Sequence, residues 1–287
     1  MRKAIGFIGL GKMGKPMVGR LQKKGWSVVT FDKAGGSAKN LKELALKLKP
    51  PRVVWLMVPA GKPVDEVLKE LTPLLKRGDT VIDGGNSFYK DSLKRGAKLA
   101  GKGISFLDVG VSGGPVSIQA GKFAIMAGGD KGAYTKVRPL FKDLSDTQAG
   151  YMGKSGAGHF AKMVHNGIEY GMMQALAEGF AILKKAPFGF RLQDVARVYN
   201  SNSIVTSRLV GWLEEGFRMY GEDLKKASTK VSHTGEGEWT VKEAKQLKVS
   251  IPVIEESFTF RVQSAKKPSF TGKVLSTLRA VFGGHKI

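Results

Sequence analysis

Within GAGHFAKMVHNGIEYGMMQALAEGFAIL, the residues Lys162, His165, Asn166 and Glu169 stand at i, i+3, i+4 and i+7, a spacing that puts four polar side chains on one helical face. Ala161, Met163, Val164 and Ile168 around them are apolar, so the other faces are expected to be buried too. A lysine and a glutamate in such a helix are costly without a partner or a task. A partly desolvated lysine has a lowered pKa and can take a proton from a substrate hydroxyl as hydride leaves, and Lys162 fits that base. The same group, once protonated, would stabilise the enolate oxygen while a β-keto acid loses carbon dioxide, so the chemistry requires no metal. Glu169 would then protonate the enediol carbon, with His165 and Asn166 orienting the substrate. A purely structural Lys–Glu pair is the bland alternative.

Hydride needs an acceptor. The opening segment IGFIGLGKMG carries Gly9, Gly11 and Gly14, with Leu10, Lys12 and Met13 between them, in a Gly-x-Gly-x-x-Gly arrangement after an expected strand and at the start of an expected helix. The first glycine permits a tight turn, the second lets the backbone approach a pyrophosphate, and the third lets helix pack on strand. Asp32, 18 residues after Gly14, ends the second expected strand, where a carboxylate accepts hydrogen bonds from ribose hydroxyls and repels a 2′-phosphate. NAD is therefore favoured, with NADP possible because Lys33 is adjacent. Two more glycine-rich turns follow expected strands: DGGNS, with Asn86, and DVGVSGGP, with Ser112, Gly113 and Gly114. Strand C-terminal ends of a parallel sheet are where ligands bind, and small polar groups there suit a carboxylate and hydroxyls. Near the end of the chain, Arg279 precedes His285 of FGGH by six residues, and a helix end and turn there could present guanidinium and imidazole to an anion. His159 and His233 receive no role.

These residues require a scaffold. Short β-branched runs alternate with amphipathic stretches up to about residue 150, with strands expected at Lys3–Ile8, Ser27–Phe31, Arg52–Val58, Thr80–Asp83, Ile104–Val109 and Phe123–Ala127. The stretch GYMGKSGAGHF reads as a linker. Long helical periodicity follows from Gly158 past Leu183, then helices near 192–199, 207–215, 239–246, 253–265 and 270–281, with no strand. The expected fold is an α/β Rossmann-type N-terminal domain with a parallel-rich sheet (1–155) followed by an all-α domain (156–287) for substrate and dimerisation. The chain has 287 residues, 42% hydrophobic, and no cysteine, enough for a sizeable core and without means for disulfides or thiolate metal sites. Its apolar runs are too short to span a bilayer, which makes a cytoplasmic location the default. The net charge of +23 comes from lysines scattered through every expected helix. That reads as a solvated surface attracting anionic substrates, and nucleic acid is disfavoured as a partner.

Taken together, GLGKMG, MVPAG, DGGNS, VSGG, KMVHNGIEYGMMQ, GEGEWT and FGGH, in this order, resemble the decarboxylating 6-phosphogluconate dehydrogenase family, and more closely its short, NAD-preferring branch. The likeness covers essentially the whole chain. It implies conversion of 6-phosphogluconate to ribulose 5-phosphate and carbon dioxide, in the pentose phosphate pathway or gluconate utilisation. It implies Lys162 as general base and Glu169 as general acid, with Asn86, Ser112, Gly113, Gly114, His165 and Asn166 around the sugar acid. It further implies that Val58 and Pro59 of MVPAG and Asn86 contact the cofactor, and that Tyr170 and Arg261 contact the substrate phosphate. Arg279 and His285 are implied to reach the site from a C-terminal tail, which in longer members comes from the partner subunit, so a homo-oligomer is implied. One departure is that the position aligned with a phosphate-binding lysine of longer members is Thr234, which weakens phosphate recognition unless Arg261, Arg279 or His233 compensates, or the substrate is another sugar acid.

Two rivals remain. A β-hydroxyacid dehydrogenase of the 3-hydroxyisobutyrate type shares the glycine turn, the VSGG loop and a catalytic lysine, but does not account for HNGIEYG. A non-catalytic dinucleotide-sensing or nucleic-acid-binding protein leaves Lys162 and its companions without a purpose.

Overall fold

The computed structural model describes residues 2–147, 149–233 and 235–284. Contacts divide the chain into two compact units, separating after Lys162. The first holds seven strands: β1 (Ala4–Ile8), β2 (Ser27–Phe31), β3 (Val53–Leu56), β4 (Thr80–Asp83), β5 (Ser105–Ser112), β6 (Ala124–Gly129) and β7 (Ala149–Gly153). They form one sheet in the order β2-β1-β3-β4-β5-β6-β7, parallel throughout except for the antiparallel β5–β6 pair. Its crossover helices are α1 (Gly14–Lys23), α2 (Leu41–Lys47), α3 (Lys62–Leu71), α4 (Tyr89–Ala100) and α6 (Lys131–Leu144), while the short α5 (Pro115–Gln119) joins the antiparallel pair.

The strands are apolar on both faces because both faces are covered, as a parallel sheet demands. Along β3 the side chains alternate: Val53 and Trp55 join a core with Phe7, Met17, Leu21, Phe123 and Phe141, whereas Val54 and Leu56 join Ile8, Leu44, Val64 and Leu71. Because β1 lies between β2 and β3, the strand order reverses beside it, and the crevice at the strand C-termini there is the ordinary dinucleotide position of such sheets.

Two expectations need correction. The stretch taken as a linker contains β7, which pairs with β6 across an irregularity at Ala127/Gly128. AGYMG carries no β-branched residue and only Tyr151 as a strand former, so its β-propensity is weak; the strand is held by its ladder and by the Tyr151 hydroxyl donating to Gly129 O at 2.9 Å. And β5 runs to Ser112 instead of ending at Val109, because antiparallel pairing with β6 continues to Ser112↔Ala124.

The second unit is helical. The long α7 (Ala157–Lys185) runs through the dividing point, and α8 (Leu192–Tyr199), α9 (Arg208–Tyr220), α10 (Glu236–Gln246), α11 (Pro252–Gln263) and α12 (Phe270–Gly283) follow. Local signals set their starts: Ser207 and Ser269 accept the Val210 and Gly272 N–H groups at 3.2 and 3.1 Å, and Pro252 opens α11. Their apolar stripes meet in a core containing Met173, Phe180, Leu192, Leu213, Phe217, Leu275 and Leu278. No strand occurs after Lys162 among the described residues. No helix of the described residues is long and apolar enough to cross a membrane.

Candidate active site

Between β1 and α1 the glycine turn has the geometry its spacing predicts. Gly9 adopts φ +99°, and a methyl there would fall 2.2 Å from Met57 O; one at Gly14 would fall 2.0 Å from Gly9 O. These two glycines are required by the protein itself. Gly11 is different: a methyl there would meet nothing within 4 Å. Its bareness is explained by a ligand whose phosphates approach the backbone at the start of α1, so the residues fit a dinucleotide. Asp32 follows β2 and its carboxylate accepts the Leu10 N–H at 2.7 Å and the Ala34 N–H at 2.8 Å. Those backbone donors lower its pKa below the ordinary carboxylate value, keeping it ionised with lone pairs left for ribose hydroxyls. Lys12, Lys33 and Pro59 are exposed, and Leu10, Met13 and Val58 are half-buried around the same turn.

At the end of β4, Asn86 is exposed on a loop that is propped from below. Asp83 accepts the Ser87 hydroxyl at 2.7 Å, while Arg95 donates to Ser87 Oγ at 3.2 Å and to Asp83 at 3.4 Å. At the end of β5, Ser112, Gly113 and Gly114 are half-buried. Gly113 (φ +152°) has no room for a side chain, since a methyl would lie 2.7 Å from Phe123 Cβ.

Lys162 is 8% exposed, and its stem rests on β5: a methyl at Gly110 would fall 2.3 Å from Lys162 Cβ. Along the same face of α7, Asn166 is 7% exposed and Glu169 half-buried. His165 Nδ1 lies 3.0 Å from Asn166 Oδ1 and 3.8 Å from Glu169 Oε2. The helix is not buried all round, however. Ile168 is 51% exposed, against the expectation from its apolar surroundings.

Within the second unit, α7, α11 and α12 bring three further residues together. The Arg261 guanidinium stacks on the Tyr170 ring at 3.5 Å, with Nη2 3.6 Å from Met173 Sδ. Gly237 of α10 packs closely on the same ring: a methyl there would fall 2.5 Å from Tyr170 Cε2. Arg261 is 2% exposed, and its Nε is buried without an acceptor. Burial pushes its pKa down to about 10, and the charge of Arg279 pushes the same way. Arg279 donates to Ser232 Oγ at 2.5 Å and is also lowered by burial. It sits inside α12, not in a tail. Neither guanidinium is ion-paired with a carboxylate among the described residues; Glu169 acts favourably on both from further away. His285 and Thr234 lie outside the described residues.

Sequence reasoning passed over Ser232, which no short-range pattern marks, and His159. The latter is 1% exposed, with Nδ1 2.7 Å from Ser92 Oγ; its position three residues before Lys162 on the same face was the available signal.

Comparison with known proteins is consistent along the chain. The model of the NAD binding domain of 6-phosphogluconate dehydrogenase matches residues 4–153, and that of the 6-phosphogluconate dehydrogenase C-terminal domain matches residues 158–278. A Bacillus subtilis protein provisionally named 6-phosphogluconate dehydrogenase YqeC is 44% identical, over 98% of each chain. An NAD(+)-dependent, decarboxylating 6-phosphogluconate dehydrogenase of Haloferax volcanii is 38% identical, over 99% of this chain and 98% of the relative. Among solved structures, the 3-hydroxyisobutyrate dehydrogenase of Mycobacterium tuberculosis with L-serine shares the fold, with a TM-score of 0.76 at 22% identity, covering 98% of this chain and 100% of the other. The N-terminal unit is therefore a binding domain for NAD, with NADP possible, and the chain belongs to the 6-phosphogluconate dehydrogenase family.

Proposed function

We propose that this protein oxidatively decarboxylates 6-phosphogluconate to ribulose 5-phosphate and carbon dioxide, with NAD preferred over NADP. The observation that carries this reading is the pair of desolvated guanidiniums, Arg261 and Arg279, held around Tyr170 without a carboxylate partner among the described residues. Buried cations are costly unless a ligand supplies the countercharge, and a phosphate accepts planar, multidentate donors.

In the mechanism, the bound nicotinamide supplies the acceptor for hydride from the hydroxyl-bearing carbon β to the carboxylate. Lys162, its stem fixed on Gly110, takes the hydroxyl proton at Nζ. The resulting ketone is β to the carboxylate, so loss of carbon dioxide leaves an enolate whose oxygen is stabilised by the protonated Lys162. Glu169 then protonates the carbon. Asn166 and His165 orient the hydroxyls, and Asn86, Ser112, Gly113 and Gly114 bind carboxylate and hydroxyls. His285 is assigned to the same anion as Arg279.

The division of labour is 1–155 for the dinucleotide and 156–287 for substrate and dimerisation. Ile168 (51% exposed), Met172 (45%) and Ile182 (71%) form one stripe along α7, an apolar face that supports a homodimer. The absence of cysteine supports a cytoplasmic setting.

The fold likeness to a 3-hydroxyisobutyrate dehydrogenase favours a second reading, a non-decarboxylating β-hydroxyacid dehydrogenase, or one acting on another sugar acid. The test is initial rates with 6-phosphogluconate, gluconate and 3-hydroxyisobutyrate, each with NAD or NADP. Highest kcat/KM for 6-phosphogluconate with NAD, abolished in Lys162→Met, supports the proposal; highest kcat/KM for either unphosphorylated acid overturns it.

A further inference from the structure

The carboxylate of Asp108 is 0% exposed and carries no ion pair among the described residues. It accepts the Gly156 N–H at 2.7 Å with one oxygen and the His159 N–H at 2.9 Å with the other. These donors stand at the start of α7, where helical N–H groups lack internal partners and the dipole favours negative charge. Asp108 on β5 thus caps a helix that it reaches across 48 residues of sequence.

The cap sits where spacing matters most. A methyl at Gly158 would fall 2.2 Å from Asp108 O and 2.6 Å from Gly128 N, so the first turn of α7 lies against the backbones of β5 and β6. Two residues after Asp108, on the same face of β5, Gly110 receives the stem of Lys162. On the helix, His159 and Lys162 are likewise one turn apart on one face. The strand therefore holds the beginning of the helix at Asp108 and seats its lysine at Gly110, while the Ser92–His159 contact ties the same turn to α4 at 2.7 Å.

We infer that Asp108 is a positioning residue for the reaction: by capping α7 on β5 it sets the height of Lys162 above the sheet, and so the place of its ε-amine at the substrate hydroxyl. This rests on the reading of Lys162 as the base. The contrast within the same unit is Asp130, which caps α6 by accepting the Ala133 N–H at 2.7 Å but holds no residue of the proposed site.

The experiment compares Asp108→Asn, Gly128→Ala and Asp130→Asn with the wild-type protein, by steady-state kinetics and by hydrogen exchange of the α7 first turn. Asp108→Asn keeps the shape but replaces one acceptor with a donor facing an N–H. Gly128→Ala keeps the Asp108 carboxylate but crowds the cap: its methyl would lie 2.5 Å from Gly158 N and 2.8 and 2.9 Å from the two Asp108 oxygens, where contact begins near 3.4 Å, so the helix start and its cap must move by about an ångström. A displacement of that size costs on the order of 10²-fold in rate. The expected result is a fall in kcat of about that size in both variants, with KM for NAD unchanged, and faster exchange at 156 and 159 in Asp108→Asn. Asp130→Asn lowers thermal stability and leaves kcat intact. Wild-type-like kcat in both Asp108→Asn and Gly128→Ala overturns the inference, as does a parallel loss in Asp130→Asn. Should Asp108→Asn not fold, Gly128→Ala decides alone. Failure of the wild type on 6-phosphogluconate refutes the function proposed above instead, and the variants are then run on the hydroxyacid the wild type does oxidise.

Discussion

Replacing Arg261 by methionine separates binding from stability. In the folded, ligand-free protein this guanidinium is 2% exposed and its pKa is pressed from its ordinary value down to about 10, chiefly by desolvation. At about 1.4 kcal/mol per unit, holding the charge costs on the order of 3 kcal/mol. Because the folded-state value is the depressed one, this penalty is fully present below about pH 10 and fades only as pH rises towards the unfolded value. Stacking on Tyr170 returns about 2 kcal/mol. Methionine keeps the length, suits the Met173 and Tyr170 surroundings, and removes both terms. The ligand-free variant is therefore expected to be more stable by about 1 kcal/mol, a rise of roughly 2–4 °C in Tm. Ligand should reverse the order. At a concentration one hundred times its Kd, 6-phosphogluconate, the proposed substrate, should stabilise the wild type by about 2.7 kcal/mol. Losing charged hydrogen bonds worth about 2–3 kcal/mol weakens affinity about 100-fold, leaving the variant only about 0.4 kcal/mol at the same concentration. Differential scanning calorimetry with and without ligand reads both effects. A ligand-free Tm several degrees below wild type, or an undiminished ligand shift, refutes the argument that Arg261 is a strained cation awaiting an anion.

Gly11→Ala should melt like the wild type, since the added methyl meets nothing within 4 Å, yet raise KM for NAD at least about tenfold; unchanged KM in steady-state kinetics would show that no phosphate approaches there. Asp32→Ser is expected to weaken NAD about tenfold and to improve NADP, measured as the ratio of kcat/KM values, because the ionised carboxylate that repels a 2′-phosphate is gone; an unmoved ratio counts against that role. Glu169→Gln should lower kcat about 10²-fold with 6-phosphogluconate by removing the acid proposed to protonate the enediol, and a near wild-type rate would favour the non-decarboxylating reading.

How far the sequence carried depended on the range of each interaction. The β1 turn was legible because all its parts lie within ten residues, and Lys162, Asn166 and Glu169 because one helical period relates them. Strands β2 and β4 could be placed from β-branched runs, but AGYMG of β7 has neither such residues nor alternation, and only its ladder to β6 makes it a strand. The exposure of Ile168 was hidden because an apolar side chain reads the same whether it faces a core or a second surface. Tyr170, Arg261 and Arg279 come from three helices, and no local pattern joins them; the likeness to a known family named Tyr170 and Arg261, the basic end of the chain marked Arg279, and only the fold shows Arg279 beside Ser232. The cap at Asp108 is invisible for the same reason, since its donors are 48 and 51 residues away.

The most direct test of the central claim is the ratio of carbon dioxide to reduced cofactor when purified protein turns over 6-phosphogluconate labelled with 13C at the carboxyl carbon. The mechanism through Lys162 and Glu169 predicts one labelled carbon dioxide for each NAD reduced. NAD reduction with the label retained in an organic acid would contradict it.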